Sequence, residues 1–294
     1  MSSQKTPGTA AGRWPALEAA RRQTTPRQDF FIEGERVGSV ALAHVAALRR
    51  WPQWVRQDAR GLHLLAAPQA RDEALAVMNR VLRAEGLIVA WRDETFGLLS
   101  PHSSAVLATF ERAACRFWGT LTRGAHCNGY VCTSADAPGV PTHLWIARRS
   151  PHKATDPGML DNLVGGGVPF GQTPQETVWR EGWEEAGLDE ARMRETMPGR
   201  VIRIDCDVPE GRMVEHIHVF DLELPSGLTP VNQDGEVAEI RLVSIAEAAD
   251  AAASGAMTTD AALVTLDFLL RHALLPATQA SALADRAGAL WASG

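Results

Sequence analysis

Between Gly166 and Leu188 a glycine-rich stretch runs straight into a helix-forming segment that carries Arg180, Glu181, Glu184 and Glu185, and this join constrains the chain more than any other feature. At 3.6 residues per turn, Glu181 and Glu185 share one face and Glu184 lies beside them. Three carboxylates this close repel one another unless a cation neutralises them. Hard oxygen ligands of this kind suit Mg²⁺ or Mn²⁺, so Glu181, Glu184 and Glu185 are candidate metal ligands. Thr173, Pro174 and Glu176 form a capping residue, a first-turn proline and a capping-box glutamate, while Gly187 supplies a stop. A helix is therefore expected over 174–186. The four-residue spacing of Glu176, Arg180 and Glu184 lets Arg180 bridge two acids. A solvated acidic helix face has the same composition, so only spacing distinguishes the two.

That spacing resembles the signature of the Nudix hydrolases: Gly, five residues, Glu, seven residues, Arg-Glu, an aliphatic residue, any residue, Glu-Glu, any residue, Gly, and an aliphatic residue. Gly166, Arg180, Glu181, Glu184, Glu185, Gly187 and Leu188 fall in register. Gln172 stands where the first Glu is expected, and Gly182 where an aliphatic residue is expected. Neither departure removes a metal carboxylate. Gly182 costs about 1 kcal/mol of helix propensity against Ala and implies that the helix backbone presses on a neighbour.

At 294 residues and 45% hydrophobic content, the length favours two domains. A net charge of -6 without a basic run argues against a nucleic-acid partner. No stretch approaches the roughly 18 continuous apolar residues of a membrane span, and Met1 to Gly12 do not read as a signal peptide. A cytoplasmic protein is expected. Cys115, Cys127, Cys132 and Cys206 lack C-x-x-C spacing and read as buried free thiols.

Four segments are expected: a flexible stretch over 1–27, a small α+β domain over 28–116, a catalytic domain over 117–275 and a C-terminal helix over 276–294. In the second, a hairpin joins 30–32 to 37–40; helices are expected at 41–50, 72–85 and 104–115, with strands at 62–65 and 87–91. In the third, strands are expected at 127–133, 142–147, 201–208, 214–223 and 237–244, and an apolar helix at 260–273. The fold class is α/β, and the resemblance implies an α/β/α sandwich with a mixed sheet.

Outside the signature, Gly124 to Val131, Leu144 to Ser150, Lys153 and Pro157 to Asn162 resemble the Nudix subgroup whose N-terminal domain has been called thiamin pyrophosphokinase-like. Members of that subgroup hydrolyse thiamin diphosphate and its oxidised analogues, which implies a small-molecule diphosphate substrate. Arg148, Arg149 and Lys153 are expected to bind it, Arg149 through its fork and Lys153 as a point charge. His126, Asn128, Gly166 and Gly167 are expected to line its pocket, although a satisfied core histidine would look the same. The base is open among Glu184, Glu236 and Glu239. His216 and His218 project from one strand face, either as a metal pair or as polar decoration. Trp179 and Trp183 read as packing residues. The same phrases resemble isopentenyl diphosphate isomerase, and nucleoside-diphosphate hydrolysis or non-catalytic binding are further alternatives. The N-terminal domain is open as a cap, a size filter or a homodimer contact.

Overall fold

The computed structural model describes residues 13–292. Of the stretch expected to be flexible over 1–27, residues 1–12 lie outside the described residues, and the remainder overturns the expectation. Trp14, Leu17 and Ala20 are buried, and the short helix α1 (Ala16–Ala19) joins the core of the C-terminal half. Large apolar side chains at this spacing anchor the segment.

The strands β1 (Arg27–Ile32) and β2 (Glu35–Ala41) form the expected hairpin, followed by α2 (Leu42–Leu48), β3 (Val55–Gln57) and β4 (Leu62–Leu64). They make a sheet in the order β2-β1-β4-β3, with β1 and β4 parallel. The helix α3 (Arg71–Ala84) packs Leu75, Met78 and Leu82 into the same core as Phe30 and Trp118. Two expectations fail next. Residues 87–91 are bends and irregular backbone rather than a strand, with Ala90 in a left-handed conformation that a strand does not accommodate. Residues 104–115 are not one helix: β5 (Thr95–Leu99) pairs with β6 (Val106–Glu111), and only then does α4 (Ala114–Trp118) begin. Val106, Thr109 and Phe110 suit a pleated surface, and pairing with β5 overrides the helix propensity of the alanines and leucine among them.

A seven-stranded mixed sheet organises the rest. It comprises β7 (Leu121–Val131), β8 (His143–Arg149), β9 (Leu160–Asp161), β10 (Val164–Gly167), the helices α5 (Pro174–Ala186) and α6 (Glu190–Met193), then β11 (Met197–Val208), β12 (Gly211–Glu223) and β13 (Val237–Ser244). The main order is β11-β12-β7-β8-β13, with β10 added to β7 and β9 to β8. Only β7 and β12 run parallel within it. Side chains alternate along each strand. Ala125, Cys127 and Phe220 therefore meet Val178 of α5 on one face. On the other, Ile202, Ile217 and Ile146 meet α7 (Ile245–Ser254) and α8 (Thr259–Arg271), and α9 (Ala277–Ala287) adds Leu283. The result is an α/β/α sandwich behind a smaller α+β unit. Among the described residues no helix is long and apolar enough to cross a membrane.

Candidate active site

The acidic helix forms where its caps require. Thr173 and Glu176 close a capping box, Pro174 opens the first turn, and Gly187 ends the helix at φ 65°. Because Glu176 is engaged with Thr173, Arg180 does not bridge it to Glu184 as the spacing implied. Arg180 instead donates to Glu181 Oε1 at 2.8 Å and to Glu184 Oε2 at 2.6 Å. Gln172 Oε1 accepts from Thr177 and, at 3.4 Å, from Arg180 Nε, so it orients the arginine from the loop. Gly182 faces Met193 of α6, whose Cε and Sδ lie 2.5 Å from where a Cβ would stand. The aliphatic side chain expected at that position is replaced by one from the neighbouring helix.

The glycines lie in strand β10 rather than in a loop. Alternation sends successive positions to opposite faces: a Cβ at Gly165 would meet the His126 ring, and one at Gly166 would overlap the Glu181 carboxylate. Glu185 is buried and accepts the Gly165 N–H at 2.8 Å. Burial, then Glu181, pushes the Glu185 carboxyl well up, and burial also raises Glu181 against the pull of Arg180. Lys153 Nζ stands 3.8 Å from Glu185 and pairs with Glu236.

On the other face of β10 is a cavity of about 340 Å³, lined by Gly165, Gly166, Gly167, His126, Arg149 and Asp161 and, across from them, by Arg112, Arg116, Glu215 and Asp260. Burial works to raise Glu215, but Arg116, 2.9 Å away, outweighs it and holds the acid low. Asp260 has no such partner. Its Oδ1 is buried without a hydrogen bond, and burial together with Glu215 pushes its carboxyl up to about 7. Arg116 Nη1 is likewise buried and unpartnered.

A carboxyl whose folded pKa lies above its unfolded value favours the fold while protonated, and that contribution is lost as pH rises through the folded pKa, here between about 4 and 7. Asp260→Asn removes the titration. Its Tm should match wild type near pH 3, below the unfolded pKa, and exceed it increasingly up to pH 8, by about 2–4 °C for each kcal/mol relieved. Parallel pH dependence of the two melting temperatures would refute the assignment.

Several residues expected at the site lie elsewhere. Arg148 points to the opposite side of β8, where it meets Glu239 at 3.5 Å and the Gly158 carbonyl at 2.9 Å. Glu239 lies with it there, beside Ile146 and Leu160. Asn128 is buried below the cavity in a ladder with Asp221 and Asn162, and does not line the opening. His126 does line it, with Nδ1 3.0 Å from Asn162 Oδ1. Arg149 lines the cavity but spends its guanidinium on Asp161 at 2.8 Å and on Thr155. Glu184 is over a third exposed and held by Arg180. Trp183 is solvent-exposed rather than packed, and Trp179 lies under Arg194. His216 and His218 share a half-buried face with Arg203 and Arg123; burial, then Arg203 and Arg123, push the His216 imidazole down, and burial, then Arg123 and His216, push His218 to about 4. Arg112, Arg116, Glu215 and Asp260 were not anticipated and reach the cavity by long-range packing rather than by motif; Asp161 lies in the phrase 157–162 but was not assigned a role there.

As arranged, no group of three His, Cys, Asp or Glu side chains among the described residues is poised around a common point for a metal. The donor set nevertheless fits a hard divalent cation. The buried Glu185 and the half-buried Glu181 lie one helical turn apart, Glu181 and Glu184 are both held by Arg180 and would need release from it, and the strand facing them has no Cβ where Glu181 sits.

Comparison with known proteins agrees with this construction. Residues 134–262 match the family model described as NUDIX domain, and residues 15–122 match one described as Domain of unknown function (DUF4743). The chain is 32% identical over 256 residues to Nudix hydrolase 24, chloroplastic, of Arabidopsis thaliana, covering 84% of this chain and 68% of that protein. It is 35% identical over 214 residues to Nudix hydrolase 20, chloroplastic, of the same plant, covering 72% and 56%. It is 32% identical over 197 residues to the uncharacterized protein YJR142W of Saccharomyces cerevisiae, covering 63% and 56%. The latter two relatives are thus matched over little more than half their length. The N-terminal unit corresponds to a domain without an assigned role, so the thiamin pyrophosphokinase-like likeness does not extend to it as a finding. With the acidic helix capped against a glycine strand and a relative matched across two thirds of its length, the chain belongs to the Nudix hydrolase family, whose members act on diphosphate-containing substrates.

Proposed function

We propose that this protein is a Mg²⁺-dependent hydrolase of an organic diphosphate, with thiamin diphosphate or an oxidised analogue as the substrate and phosphate as a product. The observation that carries this reading is the seating of buried Glu185 and half-buried Glu181 against a strand of glycines whose other face lines an arginine-bearing cavity. Mg²⁺ or Mn²⁺ held by Glu181 and Glu185, with Glu184 completing the set, supplies charge neutralisation on the phosphates and an acidified water. The remaining work belongs to the chain. Gly167 leaves bare backbone on the cavity side for the diphosphate, and Gly166 leaves room for Glu181 on the other side of the strand. Lys153 sets a positive charge between Glu185 and Glu236. Glu236, about half exposed at the start of β13, is the base we assign to the attacking water. His126 presents an imidazole edge to the organic group. The cavity volume lies within the usual range of small-molecule sites, and the likeness of 124–131 and 144–162 to the thiamin diphosphate subgroup puts that substrate first.

Purified protein with Mg²⁺ should release phosphate from thiamin diphosphate, oxothiamin diphosphate or oxythiamin diphosphate, and EDTA should stop it. Silence on all three compounds ends the thiamin assignment. Extending the screen to nucleoside-diphosphate derivatives and prenyl diphosphates, with product analysis, separates hydrolysis from isomerisation. Binding at saturating Mg²⁺ without turnover of any compound would favour a non-catalytic diphosphate-binding regulator.

A further inference from the structure

Besides Arg116, which is held by Glu215, the N-terminal unit brings Arg112 to the cavity and Arg92 to an adjoining pocket of about 80 Å³ that Arg112 and Arg116 also line. Two of these flank the β5–β6 hairpin: Arg92 precedes it and Arg112 follows it. Glu111 fixes this corner by accepting the backbone N–H groups of Arg92 at 2.9 Å and Glu94 at 3.1 Å. Arg112 donates from Nη1 to Glu94 at 2.8 Å and lies over the Phe96 ring. Its Nη2 has no hydrogen-bond partner among the described residues and lies 3.1 Å from where a Cβ on Gly167 would stand. The Arg92 guanidinium makes no hydrogen bond or ion pair among the described residues.

Other arginines of the same unit behave differently. Arg71 donates to the carbonyls of Ala66 and Leu107 and pairs with Glu33, and Arg27 is spent on Ser39 and the Phe117 carbonyl. Those are structural arginines with their donors consumed. Arg92 is half-buried, and its pKa is depressed by burial, then by Arg112, with Arg149 adding to the effect; Glu236 and Glu94 oppose it. Glu181, beyond the glycine strand, also feels Arg112. Three guanidinia brought within mutual range repel one another, and an anion arriving among them relieves that repulsion. Arg149, whose fork was expected to grip phosphate, is already occupied by Asp161 and Thr155. The free donors are on the N-terminal side.

We propose that Arg92 and Arg112 grip the diphosphate, so that the N-terminal unit supplies the substrate clamp while the glycine strand and acidic helix supply the catalytic side. This rests on reading the cavity as the diphosphate site. Glu94 holds one nitrogen of Arg112 and leaves the other aimed at the strand, a preorganised fork of the kind that favours phosphate.

The test is calorimetric titration of the full chain in Mg²⁺ buffer with methylenediphosphonate, whose bridging carbon cannot be hydrolysed. Arg112→Met should weaken binding about tenfold or more, with Arg112→Lys between it and wild type because a point charge remains. Arg92→Met, which removes no hydrogen bond or ion pair among the described residues, should weaken it about threefold to tenfold and decides the matter if Arg112→Met fails to fold. On any diphosphate that is turned over, Arg112→Met should raise KM by a similar factor with kcat within about threefold of wild type. Affinity within about twofold of wild type for both Met variants, or no binding of the probe to wild type at millimolar concentration, overturns the proposal. Because the probe cannot be cleaved, tight arginine-dependent binding without hydrolysis of any diphosphate would retire the hydrolase reading and leave the clamp standing.

Discussion

Glu185→Gln lowers turnover of the true substrate by about 10³-fold or more at saturating Mg²⁺, because a neutral amide replaces the most deeply buried of the carboxylates assigned to the metal. The same change should leave stability unchanged or improved. Glu185 is buried with one N–H donor at 2.8 Å and an ammonium no nearer than 3.8 Å, so its charge is only partly compensated in the fold. An amide of the same shape can still accept from Gly165. Loss of function with an unchanged or higher Tm is therefore the expected pair of results, from steady-state phosphate release and thermal unfolding on one preparation. Turnover within about tenfold of wild type would sink the metal assignment. A large fall in Tm would show instead that the Lys153–Glu185 contact stabilises the fold more than burial opposes it.

The contrast between Glu185 and the residues that moved shows what local sequence can carry. The acidic helix was legible because its caps, its stop and its carboxylates act over one to four residues, distances that helix geometry fixes in advance. Strand residues are different, since register and bulges decide which face a side chain joins. Arg148 and Arg149 are adjacent, yet one meets Glu239 outside the cavity and the other meets Asp161 within it, and the pairing of β8 with β13 shifts register at this point. His126 and Asn128 share a face, but only the first stands beside β10; the second is two positions further under α8, where Asn162 and Asp221 enclose it. Long-range partners left no local trace at all. Arg116 and Glu215 are 99 residues apart in sequence, and their pairing depends on how α4 packs on β12. The helix expected over 104–115 failed for a related reason: its composition suited a helix, and β5 offered it a strand partner.

Gly166→Ala should reduce kcat by about 10²-fold, since displacement of a catalytic group by about 1 Å can cost that much. The new methyl group would overlap Glu181 Oε1, Cδ and Cγ, and the side chain has little freedom to retreat. Arg180 holds its Oε1 at 2.8 Å, and the strand backbone is fixed opposite Ala125 in the ladder with β7. Overpacking of this kind also costs about 1–3 kcal/mol. Shortening the displaced group should therefore restore stability without restoring activity: Gly166→Ala with Glu181→Asp recovers Tm relative to Gly166→Ala alone, while kcat stays low because the carboxylate is withdrawn from β10. Gly227→Ala is the control, as a Cβ there meets nothing within 4 Å and its backbone is unstrained, so it should leave both quantities at wild-type values. If Gly166→Ala keeps kcat within about threefold of wild type, the close approach of Glu181 to the glycine strand is not what positions the reaction. If kcat falls but the double variant recovers it fully, steric relief alone matters, and the carboxylate's distance from β10 does not.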